Sequence, residues 1–213
     1  MTFSIVARDP TTGAFGIATA TAGPMVGALV PHARRGMGAA ATQAMTNPYL
    51  AIDTLALLDD HPAETALRAA LARDADADRR QIVVVDRAGG VDGWTGSRCS
   101  PYAGHLTADG VAVAGNMLAG PAVLRDMLEG YQQSRRKCGL SASMLQALAA
   151  GAAAGGDSRG LGSAALYVQG EQAFADIDLR VDFSDNPMAA LQNLFEQATR
   201  GPYADFFTTV PRR

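Results

Sequence analysis

The sequence predicts a four-layer α-β-β-α sandwich, an α/β (α+β) fold in which two mainly antiparallel sheets pack together between outer helices. Strands, two helices, further strands, two helices and a final hairpin follow one another along the chain. Short turns join neighbouring strands, whereas a doubly wound parallel fold requires alternating strands and helices. No linker or repeat divides the 213 residues. We therefore expect one domain over residues 1–213, with residues 200–213 as a C-terminal tail.

Four short apolar runs open the chain. They lie at residues 3–8, 14–21, 28–35 and 37–43. Between the first two, Asp9-Pro10-Thr11-Thr12-Gly13 is typical of a turn, so these runs predict a hairpin. Gly36 separates the other two, which we expect to be further strands of the same sheet.

The predicted helices have recognisable starts. Asn47-Pro48 and Asn186-Pro187 each combine an N-cap residue with a first-turn proline, and another helix opens at residues 60–64. Helices are also expected at residues 121–131 and 141–154. The remaining strands are predicted at 82–85, 91–95 and 110–115, which would form a second sheet, and at 163–169 and 173–181, a closing hairpin.

Composition excludes several classes of function. Hydrophobic residues make up 48% and charged residues 18%, as in ordinary globular proteins. The net charge of −3 and the absence of a basic run longer than Arg135-Arg136-Lys137 argue against nucleic-acid binding. Cys99 and Cys138 are too far apart for a redox or zinc motif, which favours reduced thiols and a cytoplasmic location. No signal peptide and no span of about 20 apolar residues is present, so we expect neither export nor a membrane partner.

No metal or cofactor is expected. His32, His61 and His105 follow no metal-binding spacing. Gly89-Gly90 and Gly155-Gly156 are isolated glycine pairs rather than a nucleotide-binding loop. A small-molecule substrate is the remaining expectation for a ligand.

Thr2 is the first candidate catalytic residue. Removal of Met1, which is efficient before a small residue, would leave Thr2 with a free α-amine. The hydroxyl can then act as nucleophile and the amine, whose pKa is about 7.7–8.0, as its base. The alternative is that threonine at this position indicates only that Met1 can be removed.

Asn116 is the second candidate catalytic residue. Gly115-Asn116-Met117 follows a predicted buried strand, so the amide of Asn116 and nearby backbone N–H groups can stabilise a developing oxyanion. The alternative is a glycine-rich turn in which Asn116 binds its own loop.

Cys99 and His105 lie in one predicted loop, where they could supply a thiolate and its base. A buried cysteine beside a structural histidine is the alternative.

Charged or titratable side chains at two places in the sequence are candidate substrate-binding residues. His32 and Arg35, with Arg34, could bind an anionic substrate, although a charged strand end also explains them. Asp157 and Arg159 are candidates too, with a loop-holding ion pair as the alternative.

Several sequence blocks carry a resemblance to a known family. They are residues 1–9 (MTFSIVARD), 41–44 (ATQA), 115–120 (GNMLAG), 155–160 (GGDSRG) and 163–166 (SAAL). With these blocks the chain resembles the Ntn-hydrolase-like domain of unknown function 1028 family. The resemblance implies an Ntn-hydrolase-like sandwich and supports the oxyanion role of Asn116. It also adds Gln43, in the second block, to the expected substrate-binding residues.

The chain departs from the family pattern at two places. It has Thr21-Ala22-Gly23-Pro24 where a Ser-Arg-like pair is expected, and Gly162 where a glutamine is expected. Longer members carry an extension similar to a peptidoglycan-binding module. Since this sequence stops at Arg213, no cell-wall role is expected.

Three functional hypotheses follow. The first is a hydrolase of an amide or other C–N bond in a small, acidic or carbonyl-rich metabolite, using an N-terminal nucleophile. The second is a non-catalytic small-molecule-binding or assembly protein on the same fold. The third is an enzyme that depends on Cys99 and His105.

The C-terminal tail predicts a homodimer. Tyr203, Phe206 and Phe207 follow a Gly201-Pro202 break, and an exposed terminus with these aromatic side chains would need cover. Symmetric pairs are also the commonest closed assemblies.

Overall fold

Ten strands form two antiparallel sheets in a computed structural model that describes residues 2–213. They are β1 (Thr2–Arg8), β2 (Phe15–Thr21), β3 (Pro31–Arg34), β4 (Gly38–Ala44), β5 (Arg80–Asp86), β6 (Val91–Thr95), β7 (Gly104–Ala108), β8 (Val111–Asn116), β9 (Ser163–Gln169) and β10 (Ile177–Val181). The six-stranded sheet has the order β10-β9-β2-β1-β8-β7, and the four-stranded sheet has the order β3-β4-β5-β6.

The α-helices in residues 2–213 connect and cover these sheets. They are α1 (Val26–Leu29), α2 (Pro48–Leu57), α3 (Ala63–Leu71), α4 (Ala122–Arg135), α5 (Leu140–Ala153), α6 (Pro187–Thr199) and α7 (Pro202–Thr208). The predicted N-caps are confirmed. The Asn47 side chain accepts a hydrogen bond from the Tyr49 N–H at 3.2 Å, and Asn186 accepts one from Ala189 at 3.2 Å. No helix in the described part of the chain is both long and apolar enough to cross a membrane.

Three apolar clusters separate four layers, which confirms the predicted sandwich. Helices α4, α5 and α6 pack on the six-stranded sheet, where Phe3 and Ile5 belong to the same cluster as Met144. On the other side, α2 and α3 cover the four-stranded sheet around Leu67 and Ile82. The third cluster fills the space between the two sheets. It includes Val6, Ile17, Ala41, Val83, Ala112 and Ala114.

Strand pairing differs from the sequence-based prediction. β3 and β4 do not extend the first hairpin; they join β5 and β6 in the second sheet. Conversely, β8 lies beside β1 in the first sheet, so β1 has a neighbour on each edge. Alternating apolar residues identify a strand, but they do not specify its partner, because buried strands of both sheets carry similar patterns.

Some local elements were also missed. The predicted strand 28–35 is shortened to β3, because the helical turn α1 takes up its beginning. β7 was not predicted, since its side chains are partly or fully exposed and lack an apolar alternation. Residues 202–208, expected as part of a C-terminal tail, form the helix α7. The last residue is hydrogen-bonded to the domain, because the Arg213 N–H donates to Gln172 Oε1 at 2.8 Å.

The pleat of β1 explains how this architecture builds a site. Successive strand side chains point to opposite faces, so Phe3 and Ile5 enter the helix-covered core. Thr2, Ser4 and Val6 consequently face the other sheet. Only the last of these joins the apolar cluster between the sheets, and the space near the start of β1 is polar.

Candidate active site

Five strands place polar side chains at one end of the space between the sheets. These side chains are Thr2 and Ser4 of β1, Thr19 and Thr21 of β2, Gln43 of β4, Gln81 of β5 and Asn116 of β8. Strand register brings them together, since Thr2 is opposite both Thr21 and Asn116, and Gln43 is opposite Gln81. We call this set the polar end of the sandwich.

Thr2 lies at the edge of this polar end with its side chain largely buried. Its exposed fraction is 7%. The hydroxyl donates to Thr21 Oγ1 at 3.2 Å, and the backbone carbonyl accepts from Gln43 Nε2 at 3.2 Å. The residue is thus held from both sheets by its hydroxyl and its main chain.

A pocket of about 220 Å³ opens at Thr2. Its wall is formed by Thr2 and Thr21, the loop after β2, helix α1, the end of β4 and Arg159. Thr2 therefore lies where a small molecule could reach it.

Backbone strain is concentrated around the same pocket. Met25 (φ 62°), Ala44 (φ 69°) and Met117 (φ 51°) are the non-glycine residues with positive φ in residues 2–213. Met25 and Ala44 line the pocket, and Met117 directly follows Asn116. Such conformations cost energy and tend to cluster at functional sites, where surrounding structure maintains them.

Gln81 is the centre of the hydrogen-bond network, and the sequence analysis missed it. This side chain is fully buried. Its Oε1 accepts from Gln43 Nε2 at 2.8 Å and from Asn116 Nδ2 at 3.0 Å. Its Nε2 lies 2.8 Å from the Gly115 carbonyl oxygen and 3.0 Å from Thr95 Oγ1. The available signal was a glutamine on the inward face of β5, two residues before Val83.

Ser4 extends the network within the six-stranded sheet and towards β4. Its hydroxyl lies 2.6 Å from Gln43 Oε1 and 2.7 Å from Thr19 Oγ1. Gln43 thereby has its carbonyl oxygen directed to Ser4 and its amide nitrogen to Thr2 and Gln81. The structure brings the predicted residues Thr2, Gln43 and Asn116 into one network.

His105 connects to this network through Thr95. Thr95 Oγ1 lies 3.0 Å from Gln81 Nε2 and 2.9 Å from His105 Nδ1, so its hydroxyl links the imidazole to the amide network. Burial lowers the pKa of His105 below its usual value, and the Asp92 carboxylate partly opposes this effect.

Lower pH is expected to destabilise the protein through His105. With a depressed pKa, folded His105 resists protonation, while the unfolded chain binds the proton near pH 6.5. The contribution of His105 to the free energy of unfolding is complete above about pH 6.5, and it is lost as the pH falls towards the pKa of the folded state. Thermal unfolding at about pH 7.5 and about pH 5 measures the loss. His105→Asn, which keeps an acceptor for Thr95, should reduce this loss of stability. His61→Asn, at an exposed position, should not reduce it. An equal loss in all three proteins would contradict this origin.

Cys99 has no hydrogen bond to His105 in the described structure. Its thiol donates to the Arg80 carbonyl at 3.3 Å. Burial raises the pKa of Cys99 above its usual value, which favours the neutral thiol over the thiolate.

Arg159 lies at one end of the pocket, and Asp157 is buried behind it. The guanidinium of Arg159 lies 3.4 Å from the Asp157 carboxylate. Asp157 also accepts from the Ala22 N–H at 2.9 Å, so it ties the loop after β2 to the loop before β9. At Gly162 a side chain would collide with the Ala22 carbonyl oxygen. The close approach of these two loops therefore explains the glycine at this departure from the family pattern.

His32 and Arg35 do not reach the pocket. His32 lies in β3, where its Nε2 is 3.1 Å from the Leu29 carbonyl oxygen, and burial lowers its pKa. Arg35 lies in the turn after β3, 3.4 Å from the Glu171 carbonyl oxygen and at the opposite end of the sandwich from Thr2. Across residues 2–213, no group of three His, Cys, Asp or Glu side chains is arranged to hold a metal ion.

Comparisons with known proteins found a family and similar solved structures. A family model described as "Family of unknown function (DUF1028)" matches residues 2–191. Protein SPO2555 from Silicibacter pomeroyi, a DUF1028 protein of known crystal structure, is 34% identical with a TM-score of 0.92, over 99% of this chain and 92% of that chain. Anbu (ancestral beta-subunit) from Yersinia bercovieri is 11% identical with a TM-score of 0.44, over 99% of both chains. The search of curated proteins finds no match.

Proposed function

The chain belongs to the family of unknown function DUF1028, and we propose that it is an Ntn-type hydrolase of an amide or other C–N bond in a small metabolite. One observation carries the proposal. Thr2 begins a central strand at the wall of a pocket, and a buried amide network holds its main chain. This is the position that a nucleophile with its own α-amine as base requires.

In the proposed reaction, the α-amine of Thr2 takes the hydroxyl proton as Oγ1 attacks the substrate carbonyl carbon. The C–N bond then breaks, and the leaving amine receives the proton. Water, activated by the same α-amine, attacks the resulting ester and releases the acid. This restores the Thr2 hydroxyl. The reaction requires removal of Met1, which lies outside the described residues.

Asn116 is the proposed hydrogen-bond donor to the oxyanion that forms on the substrate. It is opposite Thr2 in the strand register and is buried. One N–H of its amide is directed to Gln81, and the amide carries a second N–H that can donate to a developing oxyanion. Gln43 and Gln81 act through Thr2 and Asn116 and are proposed positioning residues.

Arg159 supports a preference for an acidic or carbonyl-rich substrate. Its side chain lines the pocket and is 48% exposed, so it can contact a ligand while remaining near Asp157. The pocket volume of about 220 Å³ suits a small metabolite.

The reaction class is tested by incubating the protein with a set of small N-acyl amino acids and amides. We expect time-dependent loss of at least one compound with equimolar release of acid and amine. A compound that raises the melting temperature but is recovered unchanged would instead support a non-catalytic binding protein. One observation favours this second candidate. Gly162 packs against Ala22 and leaves no room for the glutamine that the family pattern has there, so the chain lacks that polar group.

A Cys99-dependent reaction is a weaker candidate. The raised pKa of Cys99 and its bond to the Arg80 carbonyl support a structural thiol. Alkylation with iodoacetamide should therefore leave turnover unchanged.

We also propose a cytoplasmic location, which is supported by two unpaired cysteines, Cys99 and Cys138.

We further propose a homodimer in which α7 contacts the partner. Tyr203, Phe206 and Phe207 are 64%, 58% and 50% exposed, and the two phenylalanine rings pack edge to face at 5.7 Å. Light scattering should give twice the monomer mass, and Phe206→Ser with Phe207→Ser should weaken the dimer by about tenfold or more. The matched variant Phe183→Ser, at another exposed phenylalanine, should have no effect. A monomeric parent protein would contradict the proposal.

A further inference from the structure

Three arginine side chains surround a pocket at the end of the sandwich opposite Thr2. Arg8 ends β1, Arg35 lies in the turn between β3 and β4, and Arg87 follows β5. The pocket has a volume of about 510 Å³. Thr2 and Arg8 are the two ends of β1, so the two pockets are separated by about 20 Å at ~3.4 Å per residue. We call Arg8, Arg35 and Arg87 the arginine pocket.

These guanidinium groups lack anionic partners within the described residues. The Nε of Arg8 is buried and has no hydrogen-bond partner there. Among the hydrogen bonds of residues 2–213, Arg35 donates to the Glu171 backbone carbonyl at 3.4 Å and Arg87 to the sulfur of Met37 at 3.9 Å, and neither partner is an anion. The Glu171 side chain, although it lines the pocket, is exposed and forms no ion pair with any of the three arginines.

Neighbouring carboxylates have other partners. Asp9, next to Arg8, lies 3.1 Å from Arg135, and it also accepts from the Thr11 N–H at 2.9 Å. Asp86, next to Arg87, accepts from the N–H groups of Ala63 and Gly90. The positive charge of the arginine pocket is therefore not neutralised by the acids beside it in sequence.

Three arginines around one pocket repel one another, and a buried N–H without an acceptor costs free energy. An anion bound between them would remove both costs. Guanidinium groups offer paired N–H donors that match the oxygens of a phosphate group, and partial burial strengthens such bonds. Thr12 also lines the pocket, and its hydroxyl, which accepts from the Ala14 N–H at 3.3 Å, has a proton that it can donate. A tetrahedral oxyanion can use donors arriving from three separate loops, as here.

We propose that the arginine pocket binds the phosphate group of a small phosphorylated molecule. The site is separate from the Thr2 pocket and does not depend on the proposed hydrolysis. A ligand there would link the turn after β3 and the turn after β5 to the end of β1, so it joins the two sheets and stabilises the folded chain.

Calorimetric titration of the full chain with inorganic pyrophosphate at low ionic strength tests the proposal. We expect saturable binding that weakens with added salt and raises the melting temperature. Arg35→Gln and Arg87→Gln, both at exposed positions, should each weaken binding by about tenfold. Arg98→Gln removes an exposed arginine outside the pocket and is the matched control. Thr2→Ala should bind pyrophosphate as tightly as the parent, which separates this site from the proposed hydrolase site.

Three results would overturn the proposal. The first is no saturable binding of pyrophosphate, and the second is the same loss of affinity in Arg98→Gln as in Arg35→Gln. The third is tighter binding of malonate than of pyrophosphate, which would assign the pocket to dicarboxylates. Light scattering adds a separate check: if Arg35→Gln and Arg87→Gln dissociate a dimer while pyrophosphate does not bind, the arginines contact a second copy of the chain instead.

Discussion

Thr2→Ala is expected to abolish turnover while leaving the fold intact. The substitution removes the proposed nucleophile, and loss of a nucleophile typically lowers the rate by about 10⁴-fold or more. It also removes one hydrogen bond, from Thr2 to Thr21, which contributes only about 1 kcal/mol to stability. Catalysis and stability should therefore respond very differently to this one change.

The reaction with p-nitrophenyl acetate measures the nucleophile before a natural substrate is known. Attack by Thr2 Oγ1 transfers the acetyl group to oxygen and releases p-nitrophenolate, which leaves an ester that hydroxylamine cleaves. The N-terminal peptide is released with pepsin at acid pH, where the protonated α-amine cannot take the acetyl group from oxygen. Mass spectrometry should find this ester in the parent and in Thr2→Ser, but not in Thr2→Ala. Thr11→Ala, in the exposed turn after β1, is the matched control. A hydroxylamine-sensitive acetyl group on another residue, with none on Thr2, would refute the assigned role.

Gln81→Leu is expected to cause a large loss of stability. Leucine has a similar volume but no polar atoms, so the amide groups of Gln43 and Asn116 and the carbonyl of Gly115 lose a buried partner. Each unsatisfied buried group costs about 1–3 kcal/mol, which gives a total of about 3–5 kcal/mol after partial relaxation. For a chain of this length the melting temperature should fall by about 6–20 °C.

Thermal and denaturant unfolding measure this effect, with Gln133→Leu on an exposed position of α4 as the matched control. The control should change the free energy of unfolding by less than about 0.5 kcal/mol. Gln81→Leu should also slow acylation of Thr2, because Gln43 and Asn116 lose their fixed orientation. A stable, fully reactive Gln81→Leu protein would show that the amide network has no positioning role.

Local sequence signals predicted the elements better than their arrangement. Asn47-Pro48 and Asn186-Pro187 located helix starts, because capping is decided by a few adjacent residues. The sheet to which β4 and β8 belong was predicted incorrectly, since each strand is buried and carries small apolar residues that suit either sheet. Partner choice depends on long-range packing that a single strand does not encode.

The residues of the candidate site were predictable only where a single residue carries recognisable chemistry. Thr2 and Asn116 were identified from their chemistry, and strand register then placed them opposite each other. Gln81 was missed because one buried glutamine in an apolar strand has no motif, and its importance appears only when five hydrogen-bond partners converge on it. Arg35 was expected near the substrate, yet the strand that precedes it carries it to the other end of the sandwich.

The mass of the N-terminal peptide of protein purified from its native cells tests the central claim most directly. The proposed reaction needs the free α-amine of Thr2, so the peptide should begin at Thr2, and treatment with p-nitrophenyl acetate should add a hydroxylamine-sensitive acetyl group to it. A homogeneous native protein whose peptide begins at Met1 would contradict the account, because the base of the proposed reaction would then be absent.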